Sequence, residues 1–599
     1  MEKREKIAIL DGKNFYYSFL AGSKNLFLNQ NYVNKINVFP VPDADTGTNL
    51  ASTLQSIIDN VIPSKHIKET AIAIADAAIM GARGNSGIIF AQFLYGFSIE
   101  IHDKEYLSIH DFTLHIKKAV IYAYESISNP IEGTLISVLK DWSEYLYLFK
   151  DSADDFIELI INSYQRAKES LIETTQKLAI LAKYNVVDAG AQGFVFFLEG
   201  MITYFKDGSL KNLATTRNLT RGDGFIDTHE ELTFRYCTEA LFVGENLNKD
   251  LFSKQIEKLG DSMVVAGSSK KIRIHIHTDQ PAEVFKIIGN DACILSQKVD
   301  DMVFQNDIQH NRKWDIAILT DSCADLPQVI IEKYQIHTVP LTLHVGKNQY
   351  IDKITITPSQ FYDILRTSPD YPTSSQPSKK EFFNKYLHLT SHYKSIIAIN
   401  LSSKLSGTFN NSSMAAFAIS HQTGKQINVF DCKTLSGPQG LLLIRIAKAI
   451  EEGLSHNEIL LKIDEWIGKT KIFVNVKTLK YFIKGGRVSP LKGIVSNILN
   501  IKPIVSVDEE GNAKVFNKSF SRKASINKTL SILKKYAKEK KIHSYCILYA
   551  NKEEEANANW YAEKVNAIFM KKPEYIESIS PVIGVSAGIG TIAVALMFE

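Results

Sequence analysis

Between about residue 10 and residue 205, apolar positions recur three and four apart. "NLASTLQSIIDNVI", "IKETAIAIADAAIM", "IIFAQFLYGFSI", "LHIKKAVIYAYESI", "LISVLKDWSEYLYLF" and "DFIELIINSYQRAKESLIETT" all carry this spacing, which predicts amphipathic helices and an all-helical domain over 1–205. From about 206 to 230, "KDGSLKNLATTRNLTRGDGFIDTHE" loses the period and gains Gly, Asp, Asn and Thr, the composition of a linker. "ELTFRYCTEALFV", "SMVVAG" and "KIRIHIHTD" are β-branched or alternate, predicting strands of a small α/β domain placed at 225–312. From "WDIAILTDSCADLP" onward, short apolar strands alternate with helical stretches over 313–599, a pattern that implies parallel sheet with crossover helices. The expected fold class is therefore multidomain, all-α at the start and α/β afterwards.

Composition changes this picture little. A chain of 599 residues with 45% hydrophobic and 22% charged residues is an ordinary globular protein of several domains. The formal net charge of +4, without a long Lys/Arg run, lacks the electrostatic footprint of a nucleic-acid binder. Five scattered cysteines, Cys237, Cys293, Cys323, Cys432 and Cys546, form no CxxC pair and point to a reducing compartment. The start, "MEKREKIAILDGKNF", has only four apolar residues before Asp11, too few for a signal-peptide core. The run "IGVSAGIGTIAVALMF", broken by glycines and hydroxyls, falls short of the ~20 residues of a membrane span. The expectation is a cytoplasmic protein without a transmembrane segment.

The candidate chemistry begins in three loops that each lead into an apolar helix: "PDADTGTNL", "MGARGNSGIIFAQF" and "VVDAGAQGFVFFLEG". Backbone N–H groups at a helix N-terminus are suited to phosphate. No GxxxxGK[ST] motif occurs, which disfavours a P-loop fold. Asp43 and Asp45 stand two residues apart with no cation close in the chain. A hard divalent ion, Mg²⁺ held by one or two carboxylates together with substrate phosphates, is one counter-charge. The plain alternative is that these carboxylates cap the helix that begins near Thr48.

In the middle section, His275 and His277 lie two apart on a strand and so on one face, and Cys237 on another strand would complete three Zn²⁺ ligands. On spacing alone, a satisfied core Cys and two ordinary strand histidines are the better account. In the C-terminal half, Ser406, Gly407 and Thr408 follow the strand "IIAIN" and open a helix, so they offer donors to an anion; an N-cap serine predicts the same geometry. Arg487 follows two glycines and suits recognition of a carboxylate or phosphate.

"NVFPVPDADTGTNL", "GARGNSG", "NPIEGTLISV" and "VVDAGAQGFVFFLEG" closely resemble the ATP-binding domain shared by dihydroxyacetone kinases and bacterial fatty acid kinases. The resemblance implies a closed bundle of about eight helices that holds ATP through Mg²⁺. On it, Asp43 and Asp45 would ligate Mg²⁺ with Asn37 and Asn49 close by, and Gly84, Asn85 and Ser86 would cradle phosphate. Thr46, Gly47, Thr48 and Gly87 would belong to the same nucleotide-binding loops, Gly133 and Thr134 would line the nucleotide, and Asp188 would sit at its rim. Ala44 and Ala191 stand where the family usually has Gly. The order "YCTE" then "HIHTD" resembles the linker domain of fatty acid kinases, which implies a zinc site at Cys237, His275 and His277.

The C-terminal half resembles the DegV family of fatty-acid-binding proteins in "LTDSCADLP", "PTSSQPS", "LSSKLSGTFNN", "FIKGGRVSP", "NIKPIVSVDEEG" and "PVIGVSAGIGT". That implies two α/β lobes around a lipid tunnel, with Ser374, Ser406, Gly407, Thr408, Arg487 and Ser586 at the lipid carboxylate. Ser374 stands where the family usually has Thr, and Ser586 where it usually has His. Together the halves imply ATP-dependent phosphorylation of a protein-bound fatty acid to an acyl phosphate, with kinase and carrier on one chain. A kinase for another small carboxylate or hydroxyl compound, and a non-catalytic lipid-binding or regulatory protein, are the alternatives. The expected partners are a fatty acid and an acyltransferase that uses acyl phosphate, with a homodimer as the expected assembly.

Overall fold

The computed structural model describes residues 6–42, 44–207, 232–487 and 501–599. Asp43 and most of the linker stretch lie outside the described residues. The chain divides into two compact units, Met1–Met302 and Val303–Glu599.

The first unit opens with strand β1 (Ile9–Asp11) and helices α1 (Gly12–Lys35), α2 (Thr46–Asn60), α3 (Ile67–Gly81) and α4 (Gly84–Glu100). Strand β2 (Tyr106–Ser108) and helices α5 (Ile109–Tyr124), α6 (Leu135–Leu148), α7 (Phe156–Lys177), α8 (Ala179–Tyr184) and α9 (Ala189–Asp207) complete the helical domain. Short polar residues start several helices: Asp11, Ser108 and Asp155 accept backbone N–H groups of α1, α5 and α7, satisfying donors that a helix leaves open. The predicted apolar stripes converge on a core rich in aromatic rings, including Phe15, Phe19, Phe90, Phe97 and Phe197. Phe19 and Phe197 meet edge to face with centroids 4.7 Å apart, a preferred aromatic arrangement.

A four-stranded sheet follows, made of β3 (Tyr236–Val243), β4 (Gly260–Gly267), β5 (Lys271–Thr278) and β6 (Cys293–Asp301), with α10 (Lys249–Ile256) between β3 and β4 and α11 (Pro281–Asp291) between β5 and β6. Its order is β4-β5-β3-β6 and every pairing is antiparallel. Alternation along a strand assigns side chains to two faces. Phe242 packs on Phe252 of α10, while Leu241, Val264 and Ala266 join the core of the helical domain. The sheet is thus seated on the helices, and Gly267 donates its N–H to Gln92 Oε1 of α4 (2.9 Å).

The second unit starts with α12 (Met302–His310), whose Phe304 and Ile308 pack into that unit's core. Its first part runs β7 (Ile316–Asp321), α13 (Gln328–Lys333), β8 (His337–Val339), β9 (Thr342–Val345), β10 (Asn348–Ile351), α14 (Pro358–Thr367), β11 (Thr373–Ser375), α15 (Lys379–His392), β12 (Ser395–Asn400), α16 (Thr408–Thr423), β13 (Gln426–Asp431), α17 (Gly437–Glu451) and α18 (His456–Gly468). The remainder runs β14 (Thr470–Asn475), α19 (Lys480–Gly485), β15 (Ile504–Val507), β16 (Ala513–Asn517), α20 (Arg522–Glu539), β17 (Ile542–Tyr549), α21 (Glu555–Phe569), β18 (Ile576–Ser578), α22 (Pro581–Ala587) and β19 (Ile592–Phe598).

One sheet, β13-β12-β7-β8, is parallel as the alternation predicts. Two others depart from that expectation: the small β10-β9-β11 is antiparallel, and in β16-β15-β14-β19-β17-β18 only β17 with β18 is parallel. A strand buried on both faces reads as a continuous apolar run whichever way its neighbours point. The connection decides instead, and a tight turn with Gly511 at φ +93° joins β15 to β16 as a hairpin. Helix α17, buried almost all round, packs against both larger sheets, as expected of a helix apolar on every side. The run near the C-terminus is core, with every residue of β19 buried. Among the described residues no helix is long and apolar enough to cross a membrane.

Candidate functional site

In the first unit, a cavity of about 260 Å³ opens beside the N-termini of α4, α6 and α9. Asn85, Ser86, Thr134 and Asp188 lie on its walls with Phe39, Pro40 and Ile89. The fourth side comes from the sheet domain: Glu257 and the β4 residues Gly260 to Val264. Backbone bonds hold that side in place, Ser128 N–H to Met263 O (3.2 Å) and Val265 N–H to Ser126 O (2.8 Å). Asn85 Oδ1 is buried without a hydrogen-bond partner. Residues 257–264 carry no motif that marks them in the sequence.

The loop before α2 has its own geometry. Asp45 occupies the N-cap position, yet its side chain makes no capping hydrogen bond and Oδ1 accepts the Asn49 amide instead (2.6 Å). The helix-cap alternative therefore does not describe Asp45. Ala44 adopts φ +54°, left-handed backbone that glycine enters without steric cost, and this is the physical meaning of alanine at a position usually held by glycine. Thr46 Oγ1 donates to Asn37 Oδ1 (2.5 Å), and the Asn37 amide donates to Val41 O (3.2 Å). Thr48 is exposed and donates its N–H to Asn34 Oδ1 of α1 (3.0 Å). Gly47 packs against α1, where an added Cβ would lie 2.4 Å from Gln30 O. These residues shape and brace the loop; they are not on the cavity wall.

Gly84 differs from its expected part. Its N–H is taken by Glu239 Oε1 of β3 at 2.7 Å, so it is not available to a phosphate. Its φ of +56° and the space around it both require glycine, since a Cβ would stand 2.3 Å from Asn49 Nδ2. Gly87 faces Thr53 and Asn49 of α2 rather than the cavity, and Gly133 donates its N–H to Ser137 Oγ (2.8 Å) one residue before the wall. Glu239 also receives Arg273 Nη2 (2.9 Å) and Arg83 Nη1 (3.3 Å), and Arg273 Nη1 reaches Met80 O (3.2 Å). Burial raises the Glu239 carboxyl, but His275, Arg273 and Lys298 outweigh it and hold the group well below the usual carboxylate range. Neither Glu239 nor Arg273 stands out by type, although period-two spacing puts Glu239 on the face of Cys237, and Arg273 on that of His275 and His277.

Asp188 is buried ahead of α9, and its carboxylate accepts backbone hydrogen bonds from Ala191, Leu135 and Gly190. It thereby caps α6 and α9 at once. Burial, only partly offset by those bonds, pushes its pKa up to about 6. Ala191, where glycine is usual, sits inside the first turn of α9 with its N–H on Asp188 Oδ1 (2.8 Å).

Register brings the middle cluster together. Cys237 pairs with His277 and Glu239 with His275 across β3 and β5. The ligand atoms of Cys237, His275 and His277 all lie within 4.8 Å of one another, and all three residues are buried. His275 Nε2 has no hydrogen-bond partner. Burial, with His275 beside it, pushes the His277 imidazole down to about 3, which keeps the ring neutral at pH 7, the form that ligates metal.

The second unit contains a cavity of about 530 Å³. Leu341, Leu401, Ile472, Val474, Phe482 and Val505 give it an apolar lining, and Ser374, Ser406, Gly407, Arg487 and Ser586 stand on the same wall. Thr408 does not: it is buried behind Ser406, their hydroxyls 2.8 Å apart. Gln376, which the sequence did not single out, lines the cavity and packs so closely on Gly407 that a Cβ there would meet its Oε1 at 2.4 Å. Arg487 Nη1 donates to Gly485 O (2.6 Å). Gly485 also faces Ser586, whose Oγ would be 2.4 Å from an added Cβ, so α19 and α22 meet closely beside the cavity.

Helix N-termini surround the cavity of the first unit, whereas a largely apolar lining marks that of the second, α/β unit. Family models make this specific. Residues 40–203 match the DAK2 domain, 233–309 the FakA-like middle domain of fatty acid kinases, and 315–599 the DegV family. The three matches follow one another along the chain in that order. An uncharacterized protein of Staphylococcus epidermidis is 32% identical over 311 residues, 49% of this chain and 56% of that protein. Protein YloV of Bacillus subtilis is 29% identical over 311 residues, with the same shares of 49% and 56%. The chain thus spans little more than half the length of these curated relatives. Among solved structures, DegV of Bacillus subtilis, described as a fatty acid binding protein, matches at 28% identity over 48% of this chain and 100% of that one, with a TM-score of 0.44. A DegV family protein of Thermus thermophilus, described by its fatty acid binding, matches at 25% identity over the same shares, also with a TM-score of 0.44.

Proposed function

We propose that the chain is an ATP-dependent kinase that phosphorylates the carboxylate of a fatty acid carried by its DegV-family domain. One observation carries the reading: a single chain holds both the cavity at the helix N-termini and a largely apolar cavity of about 530 Å³ with an arginine and serine hydroxyls on its wall. The fatty acid kinase-like middle domain adjoining the DAK2 domain supports it. In the reaction, a carboxylate oxygen attacks the γ-phosphorus of ATP, the bond from that phosphorus to the β,γ-bridging oxygen breaks, and acyl phosphate and ADP result. A fatty acid carboxylate is already ionised at pH 7, so no base has to remove a proton.

The residues present fit the groups this reading implies. Asp45, at a helix start without capping it and held by the Asn49 amide, would hold Mg²⁺ together with Asp43. Mg²⁺, when bound, neutralises charge on the phosphates. Asn85, through its Nδ2 amide, and Ser86, through its hydroxyl at the start of α4, would donate to phosphate oxygens; Thr134 would bound the nucleotide. Cys237, His275 and His277 would hold a structural Zn²⁺, as the orphaned His275 Nε2 suggests. Ser374, Ser406, Gly407 and Arg487 would receive the lipid carboxylate. An acyltransferase that takes acyl phosphate as donor would consume the product in the cytoplasm.

A second reading, a kinase for another small carboxylate or a hydroxyl compound, is favoured by Ser586, which brings a hydroxyl to the cavity wall where the resemblance leads one to expect an imidazole. One experiment separates the two. Native mass spectrometry of the purified full chain should show bound fatty acid, and adding Mg·ATP with hydroxylamine should convert that fatty acid to its hydroxamate. Bound fatty acid that yields no hydroxamate while ATP is consumed would sink the acyl phosphate reading.

A further inference from the structure

Helix α4 begins without help from its own neighbourhood. Its N-cap residue, Arg83, makes no side-chain capping bond, yet the next two residues after Gly84, Asn85 and Ser86, form the cavity wall. The acceptor that its first N–H needs comes from a different domain: Glu239 Oε1 of β3, 2.7 Å from Gly84 N. A carboxylate at a helix start is favoured by the helix dipole and makes a charge-assisted bond. Glu239 is 1% exposed and is anchored by Arg273, also 1% exposed, so it has no freedom to follow a moving loop.

The contact continues toward the carboxylate pair. Gly84 leaves no room for a Cβ because Asn49 Nδ2 lies against it, and the same Nδ2 donates to Asp45 Oδ1 at 2.6 Å. Position passes from Glu239 to Gly84 to Asn49 to Asp45. Independently, the sheet domain supplies one wall of the same cavity through Glu257 and Gly260 to Val264. We infer that the sheet domain is a working part of the nucleotide site, with Glu239 as a positioning residue that sets the start of α4 and, through Asn49, the orientation of Asp45. This rests on the kinase reading given above.

The test uses the full chain and calorimetric titration with Mg·ATP, so that binding is read apart from turnover. Glu239→Gln keeps an oxygen for Gly84 N–H but leaves the buried Arg273 without its counter-charge, so its Mg·ATP affinity should fall between wild type and a variant with no acceptor there. The double variant Glu239→Leu with Arg273→Met removes the acceptor and its buried ion-pair partner together, so no buried guanidinium is stranded, while Arg83, about a third exposed, keeps access to water. It should bind Mg·ATP about tenfold or more weakly, as loss of a charge-assisted bond implies, and need more Mg²⁺ for half-saturation. A double variant that melts like wild type and binds Mg·ATP equally tightly overturns the proposal and leaves the kinase reading standing. A wild-type chain that binds no Mg·ATP overturns both. Hydrogen exchange of the wild-type chain adds a measurement that no unstable variant can confuse. The Gly84 amide should be protected to the same degree as β3 and β5, and fast exchange there against a protected sheet also overturns the proposal.

Discussion

The cavity of the first unit is bounded by helix N-termini and a buried carboxyl group, with about 260 Å³ of space. That of the second is twice as large, and much of its wall is aliphatic; among the described residues its polar groups are mainly hydroxyls, an amide and a guanidinium. The first depends on where a few charges and dipoles point, because fields in a desolvated site are strong and directional. The second depends on the area it removes from water, which is roughly additive and tolerant of position. Single polar substitutions should therefore act steeply in the first cavity and gently in the second.

Three measurements would break or sharpen this contrast. The steepest is Asp45→Asn, which keeps the Asn49 contact but removes a charge; ATP turnover should fall at least about a hundredfold with the circular dichroism spectrum unchanged. Turnover close to wild type would mean that Asp45 holds no metal.

Asp188 comes next. Its carboxyl is raised in the folded chain to about 6, so the folded state binds this proton more tightly than the unfolded one. That contribution is fully present below the unfolded value near 4 and is lost as pH rises through 6, a change of about 3 kcal/mol. Asp188→Asn should flatten this part of the profile. Urea midpoints from pH 4 to 7 check it, and parallel profiles for the two proteins would assign the change to another group.

The gentlest is Arg487→Ala, in the second cavity. It should lower the occupancy of co-purified lipid about tenfold, the worth of one charged hydrogen bond, while the apolar wall retains the rest. Complete loss of lipid would show that the second cavity, too, is governed by one charge, and the contrast would fail.

Much of this architecture was legible from local pattern. The helices α2 to α7 follow from the spacing of apolar residues, and the three domains from motifs such as "GARGNSG" and "LTDSCADLP". The second sheet was not, because β14 and β19 look alike in sequence whether paired parallel or antiparallel. At the candidate site, the gathering of Cys237 with His275 and His277 was implied by the resemblance in "YCTE" and "HIHTD" more than by spacing, and required only that β3 and β5 pair in one register. Gly84 shows the opposite: its glycine pattern pointed to phosphate, but its N–H is engaged by Glu239.

The sequence by itself determined which segments are helix or strand, the order of the domains and the residue types available for chemistry, because those depend on neighbours three or four positions away. Only the tertiary structure decided that Glu239, 155 residues from Gly84, caps α4, that Asp188 ties α6 to α9, and that Glu257 and residues 260–264 wall the first cavity. These are contacts between distant segments, set by how a sheet seats on a helical core, and no local spacing encodes them.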